Sequence, residues 1–523
     1  MTKMRKKNRV AAFAVSILCA LSITVAAGQE EFPSRIKKVS DRVMVASESF
    51  RPEEMGPVQV AFDPQKTFPA EALKEDVEIL WNMLEEGHGG FDRYSPKSVL
   101  RERFDSVLDG VTGPRTEFDF YLSLLRIVAD IKDGHTGLRL SSGATTYLDS
   151  RPVFFPFGLR FLNDKTYIFR NLSLDPDIKD GSELLAINGR PMGEILPELV
   201  SLVPNDAGIL TRRIRLLEFP ETFGRLLALR FGRPESFRIR LLPFQGKDVR
   251  ELSVPGITRE DVTRLLQERY PDAAPRRPLY ELSFRGTAAI LTIRSFGDDP
   301  EKGSLSYPEF LKNAFRTLEE NKIPNLVIDL RGNGGGRDEY GKLLFAYVMD
   351  RPFIYYRALE TKKDHYDLFR FTDISKTDAD NMAKRVKKNA RGWFDALGHP
   401  NLGLQQPLDP RFTGRVAILI NGLSFSATGE TTSLFHFHKK AVFFGEECGA
   451  GYYGNTSGFM VLATLPNTRI QVRIPLVLYT MAVDGYPKDR GIVPEVPVSP
   501  TVEDLLAGRD PEMERAITFL EKK

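Results

Sequence analysis

Residues Arg415–Glu430 read RVAILINGLSFSATGE, and this stretch decides the fold. Residues 415–421 are a short apolar run, the pattern of a strand covered on both faces. A polar turn follows and delivers Ser426 to the start of a helix beginning near Ala427. A helix start offers free N–H groups and the positive end of the backbone dipole. Both stabilise negative charge growing on a substrate oxygen. A serine held there acts as a nucleophile if a base is near. Taken alone, the segment favours a plainer reading, in which Ser424, Ser426 and Thr428 are helix caps.

The same rhythm continues on both sides. AAILTIRSF (288–296), NLVIDL (325–330) and KAVFFGE (440–446) are strands, and Tyr307–Asn321 is a helix. Apolar runs alternating with helices predict an α/β core with parallel strands, here over residues 256–523. The polar, aromatic-rich stretch 350–412 interrupts that rhythm and reads as an insertion near the site or a cap. Residues 29–150 read as a helical region, with helices over 69–86, 95–108 and 116–131. Leu73, Val77, Leu80 and Leu84 make one face of the first. Residues 151–255 read as short strands with helical insertions, and ELLAING (183–189) as a strand ending in an Asn-Gly turn.

The first 28 residues read as a secretory signal peptide: five basic residues and no acid, then an apolar run from Val10 to Ala27, then small residues. An uncleaved anchor is the competing reading. The net charge of +3 belongs to this segment; its removal leaves −2, which gives no support for nucleic acid as a partner. Of the two cysteines, Cys19 lies in the apolar run and Cys448 is left without an intrachain partner. That excludes a disulfide scaffold. An exported protein, periplasmic or secreted, is expected.

Two further motifs carry chemistry. DLRGNGGG (329–336) places glycines after a strand, where a ligand can approach the backbone. It lacks the Gly-Lys-Ser/Thr ending of a phosphate loop, so a backbone oxyanion donor is its better use. KDGHTGL (132–138) sets His135 in a tight turn after a helix. His436 and His438 find no acidic partners to complete a zinc set, so no metal is expected, and no cofactor. His88, in GHGGFDRY, reads as a satisfied turn histidine.

Together DGHTG, the stretch around ING, IDLRGNGGG, ILINGLSFSATGE and the tail from GIVPEVP onward resemble the C-terminal processing, or tail-specific, serine peptidase family. They occur in family order over residues 70–520. The resemblance implies a crotonase-like (ClpP-like) core, an N-terminal helical bundle, and a degenerate PDZ-like module over 151–255 that could regulate access. It implies Ser426 as nucleophile, with the backbone of Ala427 and Gly335 as the oxyanion hole. The Ser–Lys branch places a lysine where this chain has Gly451, and residues 441–487 contain no lysine. The tricorn-like branch uses a histidine base, and His135 falls on that position. Its acidic partner would be Asp489, with Asp484 as the alternative. Tyr452, Tyr453 and Asn455 fall where the lysine loop would lie and are expected as substrate contacts. The function implied is an exported serine endopeptidase acting on polypeptides through an acyl-enzyme. The alternative is a non-catalytic ligand- or peptide-binding protein on the same fold.

Overall fold

The structure is a computed structural model that describes residues 62–271, 277–301 and 303–522. The expected signal segment, 1–28, lies outside the described residues. Strand Arg415–Ile420 sits inside a six-stranded sheet. Its neighbours, in order, are Tyr280–Arg285, Ala288–Ile293, Asn325–Asp329, then Arg415–Ile420, Val442–Gly445 and Val496–Pro497. The first pair is antiparallel and every later pair is parallel. Ile418, Leu419 and Ile420 are fully buried, as an unbroken apolar run in a covered parallel sheet must be. The core on one face includes Leu311, Phe315, Leu344, Phe345 and Phe435. On the other face the C-terminal helix Pro511–Glu521 packs Met513, Ala516, Ile517 and Leu520.

The parallel register has a direct consequence for the site. Asp329 pairs with Leu419, so the two strands end side by side. The glycine-rich loop and the Ser426 turn leave the sheet at the same edge, where open α/β sheets place their ligands.

A second, antiparallel sheet runs through Val386–Lys388, Phe394–Ala396, Tyr356–Thr361, Gln471–Met481 and Thr456–Thr464. Three of these strands come from 350–412, the stretch expected as an insertion or cap. Gly137–Arg139, just after His135, pairs with Gln471–Arg473 of the same sheet. Helices Ala70–Gly87, Lys97–Gly110 and Glu117–Ala129 precede it, within two residues of their predicted bounds. A third sheet is built from Phe157–Leu162, Lys165–Asn171, Glu183–Ile187, Ser236–Leu242 and Arg250–Pro255. Asn188 and Gly189 make the predicted turn with φ of 49° and 80°. Helices Met192–Val200, Thr211–Leu217 and Pro220–Phe231 interrupt that sheet. Among the described residues, no helix is long and apolar enough to cross a membrane.

Candidate active site

The turn before helix Ala427–Phe437 is stitched to the glycine-rich loop. The Asn421 side-chain oxygen accepts the Gly332 N–H at 3.0 Å. Ser424 Oγ donates to the Leu330 carbonyl at 2.8 Å. Phe425 N–H donates to the Asn333 carbonyl at 3.0 Å. These bonds answer for the predicted caps: Ser424 serves the loop and makes no cap contact with the helix. Arg331 anchors the base of the loop, bonding Asp329 and Asp510 at 2.7 Å each and also pairing with Glu512. That ties the loop to the C-terminal helix.

Held at both ends, Ser426 adopts φ 57° and ψ −128°. A non-glycine residue in that region is strained, and strain of this kind persists only where the surroundings over-determine it. Gly335 explains the room for it. With φ at 101°, its missing Cβ would lie 2.7 Å from Ser426 Cβ and 3.0 Å from the Ala427 nitrogen. Ala427 opens the helix, so its N–H has no intrahelical acceptor. The Gly335 N–H donates to Asn333 Oδ1 at 2.9 Å. Of the two backbone donors implied by the resemblance, Ala427 is open and Gly335 is held by its own loop.

His135 Nε2 lies 3.1 Å from Ser426 Oγ. The ring stacks on Phe425 with centroids 4.7 Å apart, and the Arg212 guanidinium lies over the Phe425 ring at 3.5 Å. The His135 carbonyl accepts from Arg473 Nε at 2.5 Å. Burial lowers the His135 pKa to about 4; Asp133 opposes this, and Arg473 and Arg212 reinforce it. The ring is therefore neutral at physiological pH, as a general base requires.

Asp133 is a hub two residues before His135. Its Oδ1 accepts the N–H groups of His135 and Thr136 at 2.7 and 2.8 Å, and the Thr136 hydroxyl at 3.1 Å. Its Oδ2 accepts the Thr456 hydroxyl. His88 is fully buried behind it, with Nδ1 accepting from Gly90 N–H at 3.0 Å and Nε2 2.7 Å from Thr136 Oγ1. The first bond fixes the tautomer, so Nε2 carries the proton toward Thr136. His88 is thus the satisfied histidine expected, and it braces the His135 turn.

Asp489 and Asp484 are both exposed. Asp484 pairs with Arg357 at 2.8 Å, and Asp489 offers its carbonyl to Gly208 N–H at 2.9 Å. Among the described residues, no hydrogen bond joins either carboxylate to His135. The acids that approach the ring are Asp133 and Asp206. Asp206 arrives from the third sheet's helical insertion and accepts Gly134 N–H at 2.8 Å. Its carboxylate, that of Asp133 and a His135 ring nitrogen place one atom each within 4.8 Å of one another. Three such atoms are a geometry that could hold a cation, but the Asp133 oxygens are already engaged by the turn. Asp338, Glu339 and His399 form a second such group.

Gly451 carries no base, and no larger residue fits there. A Cβ would run into the buried Tyr94 hydroxyl, and its N–H bonds Asp206 Oδ2 at 3.2 Å. Tyr452 and Asn455 are buried. Tyr452 bonds His436 at 3.0 Å and stacks on Tyr486, and Asn455 donates to Glu430 at 2.8 Å. Half-buried Tyr453 donates to the Tyr486 carbonyl at 2.6 Å. The hydroxyls of Tyr452 and Tyr453 and the amide nitrogen of Asn455 thus have internal partners, while Asn455 Oδ1 is buried without one among the described residues. Glu430, beneath the Ser426 turn, accepts from Tyr356 Oη at 2.6 Å. The same hydroxyl lies 2.5 Å from Asp338. One hydroxyl proton cannot serve two carboxylates, and burial with the charge of Asp338 pushes Glu430 up to about 8. Sequence reasoning missed Asp206, Arg212 and Arg473, which lie in no recognised motif.

Residues 287–498, the segment that carries Ser426, match the model of peptidase family S41, and the chain is by class a serine peptidase. The resemblance drawn from the motifs agrees with this. Among solved structures, mature CPAF is similar over 87% of this chain and 96% of its own, at 14% identity and TM-score 0.57. Mature CPAF complexed with lactacystin is similar over 87% and 97%, at 15% identity and TM-score 0.58. At such identities the likeness speaks for the fold. None of the curated proteins matches the chain.

Proposed function

We propose that this chain is an exported serine endopeptidase that hydrolyses peptide bonds through an acyl-enzyme on Ser426, with His135 as general base. The observation that carries the reading is the 3.1 Å approach of His135 Nε2 to Ser426 Oγ, made by a serine in a strained turn. His135 Nε2 takes the hydroxyl proton as Oγ attacks the scissile carbonyl carbon. The tetrahedral oxygen meets the Ala427 N–H at the helix start, with the Gly335 N–H beside it once Asn333 yields its bond. The imidazolium then gives its proton to the leaving amine, the C–N bond breaks, and water repeats the sequence on the ester. Asp489 enters this reading as the acid that the family pattern implies for orienting His135.

The exported character rests on the pattern of residues 1–28. The parallel register and the paired strand ends support a crotonase-like core for 256–523. The antiparallel sheet over 157–255, with its Asn-Gly turn, supports a degenerate PDZ-like module. The four helices between Ala70 and Asp149 support a helical region over 29–150.

A serine-directed fluorophosphonate probe tests the reading. The purified protein is expected to label once, and Ser426→Ala and His135→Ala to abolish labelling. Absent labelling of the wild type, under conditions that label a control peptidase, would instead mean a binding protein on the same fold. Full labelling of His135→Ala would remove histidine from the base role.

A further inference from the structure

The segment Asn205–Arg215 crosses from the third sheet's helices to the candidate site and touches each of its parts. Ala207 N–H donates to the Lys132 carbonyl at 3.0 Å. Thr211 Oγ1 donates to the Glu447 carbonyl at 2.9 Å, and Arg212 lies on the Phe425 ring. At its centre Asp206 is only 1% exposed. Each of its oxygens has one backbone partner, Gly134 N–H at 2.8 Å and Gly451 N–H at 3.2 Å. A carboxylate oxygen accepts more than one hydrogen bond, so both keep capacity.

His135 needs such an acceptor. Its Nδ1 is buried and has no partner among the described residues. A base whose Nε2 faces the nucleophile must carry its neutral-state proton on Nδ1, and something must hold it there. Asp133 is close, but its Oδ1 is filled by two backbone N–H groups and the Thr136 hydroxyl, and its Oδ2 takes the Thr456 hydroxyl and faces His88 Nε2 at 3.6 Å. Asp206 is the nearby acid with room left.

We propose that Asp206 is the positioning residue of His135: it accepts the Nδ1 proton, fixes the tautomer and leaves Nε2 free to take the Ser426 proton. The inference rests on Ser426 and His135 being the catalytic pair. Catalytic hydrogen bonds that are long in a free enzyme tighten in the substrate complex, and an Asp206 oxygen already lies within 4.8 Å of a His135 ring nitrogen. Burial, and then the charge of Asp133, raise the Asp206 pKa to about 6. The group is therefore mostly ionised at neutral pH and can accept. The acid so assigned comes from a different part of the chain than Asp489, and no motif marks it.

Two measurements on the full chain test this, one independent of activity. Nitrogen-15 histidine NMR of the wild type should show His135 as the Nδ1–H tautomer, with a strongly downfield proton that His135→Ala removes. Asp206→Asn should lose that resonance and lower kcat about 10²–10⁴-fold with KM nearly unchanged, the signature of a lost tautomer. Its melting curve should stay cooperative, because Asn keeps one acceptor for the two glycine N–H groups. Should it not fold, Asp206→Ser is read in the same way. An Nε2–H tautomer in the wild type overturns the proposal. So does a resonance that survives Asp206→Asn, or one lost instead in Asp489→Asn or Asp133→Asn. If the wild type neither labels nor hydrolyses, the peptidase reading fails, and the NMR arm still decides whether Asp206 holds His135.

Discussion

Gly335 lies flat against Ser426, with no room for a methyl group between them. Gly335→Ala therefore forces a non-glycine residue to φ near 101° and into Ser426 Cβ at once. The nucleophile and the Ala427 N–H must move apart. We expect labelling of Ser426 to slow about 10²–10³-fold, the usual cost of a lost oxyanion donor. The far-UV circular dichroism should be unchanged. A variant labelling at the wild-type rate would show that the turn tolerates a displaced glycine loop.

The acid limb of kcat/KM reports the base of the free enzyme. Burial holds the His135 pKa below the ordinary 6.5, to about 4, so the neutral base persists as pH falls. In Asp206→Asn, whose acceptor does not titrate, the limb should lie well below 6.5; in the wild type, protonation of Asp206 near pH 6 brings it forward. A limb at 6.5 or above in Asp206→Asn would mean a hydrated, mobile ring. Stability runs in a related direction. Both His88 and His135 are depressed to about 4, so the unfolded chain binds more protons than the folded one between 6.5 and 4. Their contribution is present above pH 6.5 and is lost as pH falls toward 4.

Glu430 has the opposite sign. Its folded pKa is raised to about 8 against an ordinary 4.5. The group's contribution is therefore fully present below pH 4.5 and is lost as pH rises through 8. Glu430→Gln removes this titration. The stability of the variant relative to wild type should rise with pH between 4.5 and 8, by up to about 1.4 kcal/mol per pH unit. Urea midpoints at pH 5, 6, 7 and 8 measure it. Parallel curves would show that Glu430 is ionised inside the fold.

Installing the lysine of the Ser–Lys branch should not create a second mechanism. Gly451→Lys drives a side chain into Tyr94 and disturbs the N–H that holds Asp206. A destabilisation of about 1–3 kcal/mol is expected from overpacking. The double variant with His135→Ala should stay unlabelled. Restored labelling there would place a lysine amine within reach of Ser426.

Much of the core was legible because its signals are local. The apolar run 415–420 and the glycine run 332–336 each state their own conformation, and parallel pairing then brings their ends together. His135 was legible only through the family pattern, since a loop histidine has no periodicity to betray it. Asp206 left no trace. It lies 72 residues from Gly134, and its role depends on how a helical insertion docks. Tyr452 and Asn455 illustrate a related limit. Sequence adjacency to the expected cleft does not say which way a side chain turns, and both turn inward toward His436 and Glu430.

The strand that follows His135 is completed only by residues 471–473. Ser426 is likewise held by a loop that Arg331 ties to Asp510 and Glu512. During synthesis the turn of His135 therefore lacks its strand partner until residues 471–473 have been added, and the glycine loop lacks its brace until Asp510 and Glu512 have been. A chain cut short after Ser426 keeps both His135 and Ser426 but loses these braces.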